Sequence, residues 1–344
     1  MHSHVRRTIV NAVKLTLAVA ILAFLVYKGR EPFSQLSAST IQWPMLAAAL
    51  LCTLLTATLS FVRWHILIRA LGIDVRLIDS LRLGALGFAL NYASFGSIGG
   101  DFFKAIFLAH GQPGRRTEAI ATVIADRILG LLTMLLLASI GILSSGLLNA
   151  DSQKIQILSR GILTFTAIGW TGFLLLLSVD ALTGPWVRQQ ALRLRLTGKT
   201  IVRLLEAVRV YRGEKSSLVA AFGVSVIMAL CYVTSFYFVA RGLPIPEPPW
   251  SEHLVIVPVS SLVGAIPMTP SGLGTTEAAV NNLYLWMHGA SGIKDGDGTL
   301  VGIGRRVTDI AVAFLGVLFY LTHRREVKEV FAEAEALSES GVVE

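Results

Sequence analysis

Charge is what this sequence has least of. Only 15% of its 344 residues are Asp, Glu, Lys or Arg, against roughly a quarter in an average soluble domain. Cysteine is nearly absent as well. Cys52 and Cys231 both lie inside apolar runs, without CxxC or metal-ligand spacing, which excludes a disulfide framework and a zinc site. The seven histidines are scattered and form no HExxH, and neither a GxSxG elbow, a Walker loop nor a dinucleotide fingerprint occurs. No cofactor and no bound metal are expected from such a chain. The net charge of +8 is not organised as a nucleic-acid-binding module, so no nucleic-acid partner is expected either.

Apolar residues are abundant, at 53% of the chain with a mean hydropathy of +0.65. A run of about 20 such residues spans a bilayer. Six runs read as crossings, at about 8–27, 44–69, 119–143, 155–179, 216–240 and 299–322. The first follows Arg6 and Arg7 but has no small-residue cleavage site after it, and reads as a retained anchor. The expected class is therefore an all-α polytopic membrane protein.

Two further apolar stretches are broken. One, about 76–109, contains Asn91, Gly96, Gly99, Gly100, Asp101 and Lys104; the other, about 250–289, contains Pro267, Pro270, Gly272, Gly274 and Glu277. Irregular backbone at membrane depth survives only where protein covers it or water reaches it. Both stretches are expected to be re-entrant helical hairpins that return to the side they enter. With the N-terminus inside, that topology puts eighteen basic residues in cytoplasmic segments and five in external ones. This satisfies the positive-inside rule, whereas letting both stretches cross would move the basic 180–215 segment outside. Both termini are then cytoplasmic, in a cell inner (plasma) membrane.

Three crossings separate the hairpins, so they enter from opposite faces. Their sequences echo each other, SIGGD ending at Asp101 and SGLGTTE ending at Glu277. Arg127 follows Asp101 by 26 residues and Arg306 follows Glu277 by 29. The expected organisation is one transmembrane domain over 1–325, built as an inverted repeat with halves at about 5–150 and 151–325. Secondary transporters commonly use this plan, with broken helices of two inverted halves meeting near the midplane.

Arg63, Asp101, Lys104, Asp126, Arg127, Glu277, Arg305, Arg306 and Asp309 fall in apolar surroundings. One such charge at the bilayer centre costs about 2.5–3.5 kcal/mol on insertion scales, so they must pair or line a polar cavity. Arg63, near a cytoplasmic helix end, has length enough to snorkel. Asp126 and Arg127 are adjacent and cannot face each other on a helix. Asp101, Glu277, Arg127 and Arg306 lie at a break or on the helix after one. There a guanidinium is suited to holding a phosphate bidentately, with N–H donors of the helix starts after Gly100 and Gly274 aimed at the same anion. Internal salt bridges that only hold the hairpins in place remain the structural alternative. Asn91, Gly99, Gly100, Asp101, Lys104, Arg127, Pro270, Gly272, Gly274, Glu277, Arg305 and Arg306 are the candidate substrate-binding residues, and none is assigned a catalytic role.

The 185–215 segment carries eight basic residues interleaved with Trp186, Leu192, Leu196, Leu204, Leu205 and Val208, and reads as a basic amphipathic cytoplasmic helix with affinity for anionic headgroups. It serves equally as a positive-inside anchor. The tail, 326–344, is acidic and cytoplasmic. A small-residue face at Gly298–Gly302 allows a homo-oligomer.

With Arg63 and Trp64, then Asn91 with GGD at 99–101 and Lys104, then Asp126 and Arg127, and PMTPSGLGTTE over 267–277, the sequence resembles the lysylphosphatidylglycerol synthase transmembrane-region, or flippase-like, family over about 5–325. It departs where Gly96, Ser97 and Ile98 replace a Pro-Gly pair and where Ser271 replaces a common glycine. The resemblance implies the lipid-translocating part of such proteins. The transferase chemistry of full-length members belongs to a separate cytosolic domain, for which about 20 residues after the last span leave no room. The expected function is movement of a phospholipid or lipid-linked headgroup between leaflets. The alternatives are a membrane-embedded transferase, with Asp101, Lys104 and Glu277 as acid–base groups, and a non-catalytic scaffold for lipids or enzymes.

Overall fold

The structure, a computed structural model, describes residues 36, 37, 40–93, 99–110, 116–194, 198–266, 268–288 and 292–322. The expected first crossing, at about 8–27, and the acidic tail lie outside them. Among the described residues all regular structure is helical: α1 (Trp43–Ala70), α2 (Leu77–Ala93), α3 (Gly99–His110), α4 (Arg116–Ser145), α5 (Gln153–Ser178), α6 (Pro185–Leu192), α7 (Gly198–Tyr211), α8 (Lys215–Gly242), α9 (Trp250–Ala265), α10 (Thr275–His288) and α11 (Asp297–Thr322). Four of them, α1, α4, α5 and α8, are long and apolar enough to cross a membrane. The stretch expected to cross at 299–322 is helical, as α11, but is not among these four, because Arg305, Arg306 and Asp309 interrupt its apolar run.

Polar side chains within the long helices bond to their own backbone. Thr53, Thr56 and Thr58 donate to the carbonyls of Ala49, Cys52 and Leu54, each at 2.8 Å, and Ser225 does the same to Ala221. Without that partner a hydroxyl moved out of water costs on the order of 2–7 kcal/mol. The four-residue step of a helix supplies an acceptor at no cost in packing.

Helices α1 and α8 run antiparallel along their length. The Gln42 N–H, at the start of α1, donates to the Gly242 carbonyl at the end of α8 at 2.9 Å. Further along, Arg63 reaches Ser225 at 3.0 Å. Around this pair, contacts among α1–α4 and α8–α11 come in matched sets. Helix α2 packs on α11, and α9 packs on α4. Each hairpin closes on itself, α2 on α3 and α9 on α10, and its second arm lies on the next long helix, α3 on α4 and α10 on α11. Exchanging α1 through α4 for α8 through α11 maps this set of contacts onto itself.

One core cluster gathers Leu137, Ile142, Val233, Ile256, Tyr284 and their neighbours; a second gathers Trp64, Leu67, Ile73, Leu129 and Tyr211. The second reaches the basic segment and changes how it reads. Instead of one helix over 185–215, the chain forms α6 and α7, and the Leu194 carbonyl accepts the Gly198 N–H between them. The apolar face of α7 is covered by protein, not lipid: Leu205, Val208 and Tyr211 are buried, and Val208 and Tyr211 line a small apolar cavity with Leu129 and Phe173. The Tyr211 hydroxyl donates to the Leu67 carbonyl at 2.9 Å, and burial pushes its pKa above the ordinary value. Arg188 pairs with Glu206 at 2.8 Å. Arg212 caps the end of α5, bonding Asp180 and the carbonyls of Leu176 and Val179. The large apolar side chains this segment exposes are instead Trp186, Leu192 and Leu194, on and just after α6.

Candidate functional site

Helix α2 ends at Ala93 and α3 starts at Gly99; the break between them, 94–98, lies outside the described residues. What holds the two arms together is visible on either side of it. The Gly100 N–H donates to the Asn91 side-chain oxygen at 3.0 Å. A Cβ on Gly100 would sit 1.9 Å from the Gly87 carbonyl oxygen, so only glycine lets α3 approach α2 this closely.

Asp101 is the third residue of α3, where the helix dipole favours an anion. Arg127 on α4 binds it through Nε and a terminal nitrogen. Lys104, one turn along, lies 3.7 Å from the other carboxylate oxygen and 5.5 Å from the centre of the Trp64 ring. This carboxylate therefore has two cations. Arg127 is 57% exposed although Asp101 and Lys104 are almost covered.

The second hairpin repeats the plan with different parts. Helix α9 ends at Ala265, and the chain turns through a 3-10 segment, Pro270–Gly272, into α10. Gly272 has φ 65°, and its missing Cβ would meet the Gly264 carbonyl at 2.6 Å. Glu277 is again the third residue of its helix. One of its oxygens accepts the Gly274 N–H at 2.7 Å, closing the helix start as a capping box does. The other accepts from Arg306 Nε at 2.5 Å. The terminal nitrogens of Arg306 reach the Ser271 and Gly272 carbonyls at 3.4 Å. Glu277 is 1% and Arg306 17% exposed.

The tip of the second hairpin touches the last turn of α2. Ser271 donates through its hydroxyl to the Asn91 carbonyl at 2.6 Å. Its backbone is left-handed, at φ 50° and ψ 29°, a conformation that costs a non-glycine residue roughly 1–2 kcal/mol and that this bond offsets. A polar line thus runs from Arg127 through Asp101, Gly100, Asn91 and Ser271 to Arg306 and Glu277.

Of the candidate residues, Asn91, Gly100, Asp101, Lys104 and Arg127 meet at the first hairpin, and Gly272, Gly274, Glu277 and Arg306 at the second. Gly99 opens α3 and Pro270 opens the 3-10 turn. Arg305 is not with them. It points the other way on α11, buried, paired with Asp309, 3.0 Å from Thr308 and 4.9 Å from the centre of the Tyr232 ring. Arg63 does not snorkel: it is buried, 2.7 Å from Asp126. As their adjacency requires, Asp126 and Arg127 turn to different partners. Ser271 had only one signal in the sequence, a non-glycine in a glycine-rich break. Tyr232 and Phe236, one turn apart over Arg305, had none.

Comparison with individual curated proteins gives no match. Comparison with family models matches residues 11–329 to the lysylphosphatidylglycerol synthase TM region. The match takes in both hairpins, both acid–arginine pairs and every long helix described above, and the chain belongs to that family.

Proposed function

We propose that the protein moves the anionic headgroup of a phospholipid or a lipid-linked carrier between the leaflets of a prokaryotic inner membrane, with both termini in the cytoplasm. The observation that carries this reading is the pair of arginines, each held by a carboxylate at the start of a broken helix, with the second break hydrogen-bonded to the last turn of α2. The matched packing of α1–α4 and α8–α11 and the antiparallel α1–α8 pair support an inverted repeat, in which the hairpins enter from opposite faces. Each arginine would exchange its carboxylate for a phosphate, and the Ser271–Asn91 contact would part and re-form as one hairpin opens and the other closes. A transferase using Asp101 or Glu277 as a general base would first have to free it from its arginine.

Reconstitution into liposomes with fluorescent phosphatidylglycerol, lysyl-phosphatidylglycerol and a polyprenyl phosphate, scored by dithionite quenching, tests the reading. Exchange of one of these lipids, lost in Arg306→Ala, is the expected result. Absence of exchange with folded protein would overturn it and favour the transferase and scaffold alternatives.

A further inference from the structure

The two stations differ in net charge, and that difference has a chemical consequence. The first holds Asp101, Arg127 and Lys104, one positive charge in excess. The second holds Glu277 and Arg306 and is neutral. A phosphodiester monoanion bound at the first station makes it neutral. When Arg127 turns to the phosphate, Asp101 keeps Lys104. The same anion at the second station leaves one uncompensated negative charge. When Arg306 turns away, Glu277 keeps only the Gly274 N–H and its helix dipole. One proton on the carboxylate would cancel that charge, whose burial in apolar surroundings is costly.

Among the described residues, the other charged groups around Glu277 already have partners. On α11, beside Arg306, Arg305 and Asp309 pair with each other, and the residue abutting the Glu277 side chain is Gly302. On α9, His253 is bonded to Tyr284, two turns along α10 from Glu277. On α5, Lys154 lies over Trp286, further along the same helix. Near the start of α11, Asp295 is bonded to Asn281 and Asp297 to the Lys294 N–H. From the first hairpin the contact is the neutral Asn91, through Ser271.

Resting on the translocase reading, we propose that each anionic headgroup crosses together with one proton, carried by Glu277, and that Asp101 carries none. The proton passes from water to a Glu277 carboxylate oxygen as Arg306 moves from carboxylate to phosphate. It returns to water when the headgroup leaves and the ion pair re-forms. Anion and proton together are electrically neutral, so the loaded second station holds no unbalanced charge.

The test uses wild-type protein in phosphatidylcholine vesicles containing a trace of acyl-labelled phosphatidylglycerol. A pH difference of one unit is set across the membrane, with voltage clamped by valinomycin and equal potassium. Coupling of one proton per lipid drives the probe toward the alkaline leaflet, up to a tenfold ratio, since one pH unit is one factor of ten in proton activity. Glu277→Gln exchanges the probe but holds the ratio at one. Exchange by wild type with the ratio fixed at one overturns the proton proposal and leaves the translocase reading standing. No exchange overturns both.

Discussion

The two hairpins share a plan and differ in how each protects its charge. In the first, a carboxylate is held by two cations and the arginine is largely exposed; in the second, the carboxylate is fully covered, shared between one arginine and one backbone N–H, and the arginine is nearly covered too. The first carboxylate would keep a cation if its arginine left, and the second would not. An inverted repeat caught with one side accessible would show such an inequality in exposure, but the extra lysine is written into the sequence and persists through any cycle.

Stability is the first place to break this comparison. Removing one member of a buried ion pair costs about 3–5 kcal/mol, because the other charge is left behind. Arg306→Ala should therefore lower the melting temperature in detergent sharply, and adding Glu277→Gln should recover much of the loss. Arg127→Ala should cost less, at most about 1 kcal/mol, since Asp101 retains Lys104 and lies beside a more exposed partner. Equal losses for the two arginines would erase the distinction. Both variants should lose lipid exchange.

The next largest effect is steric. Gly100→Ala puts a methyl group against the Gly87 carbonyl, and overpacking of this kind costs about 1–3 kcal/mol. A variant with unchanged melting temperature would show that α2 and α3 do not need their close approach. Ser271→Gly should change stability least. It loses a bond worth about 1 kcal/mol and gains a residue suited to φ 50°, so the net should fall within about 1 kcal/mol. Its effect should appear instead in exchange rate, because the contact it removes joins the two hairpins.

The placement of the ion pairs was largely legible in the sequence. A carboxylate after a glycine-rich break and an arginine on the following helix recur at nearly the same spacing, and low charge elsewhere makes each one conspicuous. Adjacency on a helix separates Asp126 from Arg127, and the structure gives them different partners. The same geometry separates Arg305 from Arg306, yet both were grouped as substrate-binding because nothing in the sequence announces the aromatic rings of Tyr232 and Phe236. The 185–215 segment misled for a related reason. Amphipathic periodicity identifies an apolar face without saying what covers it, and here α4, α5 and α8 supply residues that pack against α7. The Ser271–Asn91 bond links residues 180 positions apart and has no local signature.

The opposed entry of the two hairpins underlies every step of the account, and sidedness of labelling tests it most directly. In a background with Cys52 and Cys231 replaced by alanine, single cysteines at Asp74 and Gln112 flank the first hairpin, and others at Glu247 and Gly292 flank the second. A membrane-impermeant maleimide should reach the first two from the cytoplasmic side only and the second two from the external side only. If the members of either pair label from opposite sides, that hairpin crosses the membrane and the two-station account fails.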